Sequence, residues 1–247
     1  MKPPRIIITL FILAIAPLLA APLSAADIYN DEAAWRAAVK AAGAGSADST
    51  PMRFVKADPA LPNVLLIGDS ISIGYINDVR SLLVRKFNVF RVPDNAQNTT
   101  HTLEHLDEWL AGKKWAVIHC NWGLHDLTSR GPNPDGYAQN LAQLIDKLRA
   151  TGAIIVFATT TPIPPDNIGR RPGAELPYNA KALEVMKAKR AFVNDLYRAA
   201  LPNLEQWQQP ADVHFSHFGS AMLAQKVARA ILNAHRGPPY SDYLELK

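Results

Sequence analysis

The sequence is short of cysteine, of charge and of long apolar runs, and each shortage removes a class of protein. Cys120 is the one thiol in 247 residues. A single thiol forms no internal disulfide, so the chain is not a small disulfide-stapled scaffold. It also cannot supply a thiolate zinc site. Charged residues make up 19% of the chain against 48% hydrophobic ones, a balance that excludes a disordered chain. No Lys/Arg run with interleaved aromatics occurs, so no nucleic-acid partner is expected. Lys181, Lys187, Lys189 and Arg190 read as a solvated helix face. Beyond residue 26 no apolar stretch reaches membrane-spanning length, and no internal repeat or low-complexity tract is visible. What remains is a chain whose length suits one large α/β domain, or two small ones at most.

Residues 1–26 do not belong to that domain. Lys2 and Arg5 precede a nearly unbroken apolar run over 6–20, and Ser24-Ala25-Ala26 places small residues at its exit. Positive start, short apolar run and small-residue exit are the pattern of a secretory signal peptide. The run is short for a membrane span, and no lipobox cysteine follows it. The expectation is export to the periplasm or the extracellular medium, with no stable membrane insertion after cleavage. Without Lys2 and Arg5, 24 basic residues face 22 acidic ones, a formal +2 rather than +4. The high isoelectric point of the whole chain therefore does not argue for an acidic partner.

Residues 27–58 read as an N-terminal extension with one helix over 31–42, capped by Asn30 or Asp31, and a small polar linker over 43–49. The remaining residues, 59–247, form the main domain, in which strand and helix alternate. Apolar runs predict strands at 63–67, 88–92, 115–120 and 153–158, with a short fifth at 191–193. Helical spacing of apolar residues predicts helices at 74–86, 102–110, 134–150, 179–189 and 219–234. Continuous apolar strands separated by helices imply a mainly parallel sheet covered on both faces. Right-handed crossovers then bring every strand's carboxyl end to one rim, where a site is expected.

Polar groups reach that rim from five places. Gly68-Asp69-Ser70 follows the first strand, residues 93–100 the second, 121–126 the third and 159–162 the fourth, while Asp212-Val213-His214 precedes the last helix. Ser70 stands at a strand-to-helix junction, where a hydroxyl is exposed and helix N–H groups face a nearby negative charge. Gly68 permits the tight turn. A serine hydroxyl becomes a strong nucleophile only when a base takes its proton. His214 reaches the same rim and can be that base, with His217 as an alternative. Asp212, two residues before His214, faces the same side if the segment is extended. Ser70, His214 and Asp212 would then form a triad. Asn121, Gly123 and His125 alternate at the end of the third strand, so Asn121 or His125 could donate an N–H to an oxyanion. Trp122, Tyr178 and Trp207 are candidate rim aromatics, and equally candidate core side chains.

These segments resemble the conserved blocks of the SGNH, or GDSL, hydrolases. Gly68-Asp69-Ser70-Ile71-Ser72 looks like the nucleophile block, residues 121–127 look like a variant of the third block, normally Gly-x-Asn-Asp, and Asp212-Val213-His214-Phe215 looks like the last. Gly219, a few residues on, stands where the family usually has glycine, which favours His214 over His217. The resemblance spans roughly residues 60–235. It implies a flavodoxin-like, three-layer α/β/α sandwich around a mainly parallel five-stranded sheet, and ester hydrolysis through an acyl-enzyme, with no cofactor and no metal. It also implies an oxyanion hole made by the backbone N–H groups of Ser70 and Gln97 with a side chain from His125 or Asn121. Three positions depart from the family: Gln97 takes the glycine slot of the second block, His125 replaces an asparagine, and Ala211 occupies the usual place of the acid. The expected activity is that of an exported serine esterase acting on short acyl groups, O-acetyl first, on a small-molecule or glycan ester. A thioesterase or lysophospholipase, and a non-catalytic glycan-binding relative, are the alternatives. No oligomeric state is implied.

Overall fold

The computed structural model describes residues 28–129 and 131–237. The signal-peptide reading of residues 1–26 lies outside them. Five strands, β1 (Asn63–Ile67), β2 (Asn88–Arg91), β3 (Val117–Asn121), β4 (Ile154–Ala158) and β5 (Phe192–Asn194), form one sheet in the order β2-β1-β3-β4-β5. Every neighbouring pair is parallel. The helices are α1 (Glu32–Ala42), α2 (Ser70–Leu82), α3 (Thr99–Leu110), α4 (Pro134–Ala150), α5 (Leu176–Lys189), the short α6 (Leu196–Ala200) and α7 (Leu204–Trp207), and α8 (His217–Arg236). Among the described residues no helix is long and apolar enough to cross a membrane.

Strand side chains alternate between two cores, as a period of two requires. Leu65, Ile67, Ile118, Cys120, Ile155 and Phe157 point into one, which α1, α3, α4 and α5 complete. Val64, Leu66, Val117, Val156 and Ala158 point into the other, completed by α2, α6 and α8. The result is the expected three-layer arrangement of helices on both faces of the sheet. Cys120 is buried with its Sγ 3.7 Å from the Val156 carbonyl, and burial pushes its thiol well above the usual range.

Four helices, α2, α3, α5 and α8, start earlier than apolar spacing predicts, and polar caps, which carry no hydrophobic signal, set the start of three of them. Asp69 caps α2, its side chain accepting from the Ile71 N–H. Asn98 caps α3 by accepting from His101 N–H, and Ser216 caps α8 by accepting from Gly219 N–H. Each bond satisfies one of the N–H groups that a helix start leaves unpaired.

Residues 28–55, set apart in the sequence as an extension, share the core of the rest. Ile28, Tyr29, Trp35, Val39 and Met52 are buried with Phe90 and Trp115. Tyr29 lies within 6 Å, centroid to centroid, of the Trp35, Phe90 and Trp115 rings, and its hydroxyl donates to the Trp109 carbonyl at 2.9 Å. The Trp35 indole donates to the Met52 carbonyl at 2.6 Å. The Arg80 guanidinium on α2 donates to the carbonyls of Thr50 and Pro51 at 2.9 and 3.1 Å. The segment therefore packs beside the edge strand β2, a position that proteins tend to cover.

Candidate active site

β1 delivers the chain to Gly68 at the carboxyl rim, and α2 begins at once with Ser70. Gly68 is there for space rather than for its backbone angles. A Cβ on it would collide with the Asn121 side-chain oxygen, whereas its φ is not in the left-handed region. Asp69 is 1% exposed. Its carboxylate accepts from Ile71 N–H at 3.0 Å and from the Asn121 amide at 3.0 Å. Burial raises its pKa, and His125 nearby pulls in the opposite direction.

Behind this turn stands Arg91, 1% exposed at the end of β2. Its guanidinium donates to the Gly68 carbonyl and the Ser72 hydroxyl, each at 3.3 Å, and contacts Met52 Sδ. Arg91 was missed in the sequence. The available signal was a lone cation closing an apolar strand.

The loop before α8 brings His214. Gln208 and Phe215 form an isolated antiparallel bridge, and Gln209 N–H donates to the His214 carbonyl at 2.9 Å. Ser216 N–H donates to the Trp207 carbonyl at 2.7 Å. α8 approaches this segment so closely that a Cβ at Gly219 would strike the Trp207 carbonyl, which explains a glycine there.

The His214 Nε2 is 2.8 Å from Ser70 Oγ, and its Nδ1 is 2.8 Å from Asp212 Oδ1. His217 opens α8 instead. The spacing of Asp212 and His214 works for a different reason from the one expected. The segment is a turn, not extended, with Ala211 at φ 57°. Asp212 Oδ1 accepts both the His214 backbone N–H, at 3.1 Å, and its ring, the local bond that aspartate forms two residues on. The His214 backbone N–H, and then its ring, hold the Asp212 carboxyl below its usual pKa.

The third-strand region departs from its expected alternation. β3 ends at Asn121, and the chain turns at Gly123, with Leu127 N–H donating to the Gly123 carbonyl at 3.0 Å. Asn121, Gly123 and His125 therefore do not line one extended edge. The Asn121 amide is committed to Asp69, and its oxygen faces the Tyr75 hydroxyl at 3.4 Å. Asn121 braces the Gly68-Asp69-Ser70 turn, and its amide is not free to act as a spare donor. His125 is half-buried. Burial lowers its pKa, Asp69 opposes that, and the positive charge of Arg170 reinforces the lowering. Gln97 is exposed with φ 43°, a left-handed conformation unusual for a side-chain-bearing residue. Next to it, Ala96 N–H donates to the Gly68 carbonyl at 3.2 Å. Asp126 ties this loop to the third-strand loop, accepting from Thr99 N–H at 3.0 Å and Thr99 hydroxyl at 2.6 Å.

The proposed rim aromatics are corrected. Trp122 is fully buried and donates to the Thr102 hydroxyl at 2.7 Å, and Trp207 is also buried. Tyr178 packs edge-on against Tyr137 and donates to the Pro132 carbonyl. Their apolar area is used in packing. The cavity lined by both chain neighbours of Ser70, Asp69 and Ile71, together with Leu124 and Thr159–161, has a volume of about 10 Å³, room for roughly one water.

A sequence model of the GDSL-like lipase/acylhydrolase family matches residues 66–222. Solved structures share the fold. A lipase/acylhydrolase from Enterococcus faecalis superposes with a TM-score of 0.63 at 21% identity, over 70% of this chain and 96% of its own. An acetyl xylan esterase, AlAXEase, gives 0.60 at 16% identity, over 68% and 99%. A mutant of an acetyl-xylooligosaccharide esterase from Geobacillus Stearmophilus gives 0.58 at 18% identity, over 69% and 94%. No curated protein matches the sequence.

Proposed function

The chain belongs to the GDSL-like lipase/acylhydrolase family, whose members hydrolyse carboxylic esters, and on that premise we propose that it is an exported serine esterase removing short acyl groups, O-acetyl above all, from carbohydrate esters. One observation carries the reading: the unbroken chain of two 2.8 Å contacts from Ser70 Oγ through His214 to Asp212. These distances are within reach for proton transfer and for orienting the base.

Ser70 Oγ attacks the ester carbonyl while His214 Nε2 takes its proton. Asp212 keeps the ring in the tautomer with Nδ1–H and stabilises the imidazolium. The oxyanion is held by the backbone N–H groups of Ser70 and Gln97 and by the ring of His125. The lowered pKa of His125 keeps that ring neutral, a donor that adds no full charge. Each such donor contributes about 3 kcal/mol to the transition state. His214 then returns the proton to the leaving alcohol. Water, activated by the same histidine, cleaves the acyl-enzyme. Asn121 acts one step back, through Asp69.

The cavity beside the Ser70 turn has no room for a long acyl chain, which is compatible with a short acyl group. The two acetyl esterases among the structural relatives support a glycan substrate, whereas burial of Trp122 and Trp207 removes the aromatic argument for one. Rates on p-nitrophenyl acetate and octanoate test the acyl preference. Faster cleavage of acetate is expected, and much faster cleavage of octanoate would contradict it and favour a lysophospholipase or thioesterase. Export predicts a mature N-terminus at Asp27. Recovery of the chain with Met1 intact from the cytosol would contradict that part.

A further inference from the structure

We propose that the first turns of α3 carry a divalent transition-metal site formed by His101, Glu104 and His105. One ligand atom from each of the three lies within 4.8 Å of the others. Positions i, i+3 and i+4 share one face of a helix. Two imidazoles and one carboxylate are the donor set of zinc sites that leave a fourth position to water, and imidazole also suits nickel and copper.

Two of the ligands are held in advance. Asp94 Oδ2 lies 2.7 Å from His101 Nε2, and Asp94 is only 5% exposed. A carboxylate behind a ligating histidine fixes the ring and raises its basicity. With Nε2 so engaged, Nδ1 is the nitrogen left for an ion. His105 stacks on the buried Trp109, with ring centroids 5.8 Å apart and planes 19° from parallel. The two imidazoles are neighbours, with centroids 4.5 Å apart. A merely solvated helix face needs neither brace. Ordering the ligands beforehand lowers the cost of binding. Both histidines are half-buried and Glu104 is exposed, so the ion would keep contact with water.

The site is separate from the Ser70–His214–Asp212 chain and does not depend on the esterase reading. It lies one turn into the helix that starts beside Gln97. A bound ion would therefore pin the start of α3, where Thr99 meets Asp126.

Calorimetric titration of tag-free, EDTA-stripped mature protein with zinc chloride tests the site. Saturable binding of one ion is expected. His105→Ala should weaken it by more than about 100-fold, and Asp94→Asn by about 10- to 100-fold, the usual cost of an outer partner. Glu104→Gln, at an exposed position that folding does not need, should weaken it in the same direction. His214→Ala should leave both affinity and stoichiometry unchanged. Absence of saturable binding would overturn the proposal. So would unchanged affinity in both His105→Ala and Glu104→Gln, or binding lost in His214→Ala and kept in His105→Ala.

Discussion

At the scale of the residue, the decisive group is Asp212. Its position two residues before His214, rather than three, is made workable by a turn in which one carboxylate oxygen accepts from both backbone and ring of the same histidine. If it orients His214, Asp212→Asn should lower turnover by about 10⁴-fold, the loss seen when another triad's acid is so changed. A loss under about tenfold in steady-state rate would mean that something else holds the ring. Gln97 poses a different question. Its φ of 43° costs a non-glycine residue roughly 1–2 kcal/mol, so a glycine backbone is retained without a glycine. Gln97→Gly should therefore keep activity within a few-fold and raise the thermal midpoint. A collapse of activity would show that the Gln97 side chain, not its backbone, does the work. The glycine slot was legible in the sequence only through the resemblance. Its retained geometry was not, because nothing in local composition announces a strained glutamine.

At the scale of the element, the rim loops are clamped by buried polar groups. Asp126 is fully buried, and burial pushes its carboxyl up to about 6 despite the Thr99 bonds that favour the anion. One of its oxygens, Oδ2, has no partner. The native state thus holds a proton that the unfolded chain releases, so stability from this group is present at low pH and lost as pH rises through about 6. The shift corresponds to about 3 kcal/mol. Asp126→Asn removes the titration. Relative to wild type, the variant's thermal midpoint should be higher at about pH 8 than at about pH 4, whatever fixed cost the amide adds. A pH-independent difference would contradict the assignment. Elements were easier to read than their starts. Apolar periodicity marked every strand and the main helices, yet α2, α3 and α8 begin with Ser70, Thr99 and His217 under polar caps. The alternation expected for Asn121, Gly123 and His125 failed because the strand ends at the first of them, and a turn has no period.

At the scale of the whole molecule, the parallel sheet explains why Ser70 and His214, far apart in sequence, meet: they stand at the starts of α2 and α8, which pack on the same face of the sheet. That was legible, since strand–helix alternation and the crossover rule suffice to predict it. The contribution of residues 28–55 was not. Tyr29, Trp35 and Met52 lack a partner pattern within their own segment and reveal their role only against Phe90, Trp109 and Trp115. The aromatics at 122 and 207 misled for the same reason, because position near a rim does not say which way a side chain points. The spacing of His101, Glu104 and His105 was in plain view, but its bracing by Asp94 and Trp109 is tertiary. The central claim is that Ser70, driven by His214, opens esters through an acyl-enzyme. Acetate release by wild type and by Ser70→Ala, each with its fold checked by circular dichroism, tests it most directly. The account predicts turnover in the wild type and a loss of at least about 10³-fold in the variant, whereas equal rates in the two proteins would contradict it.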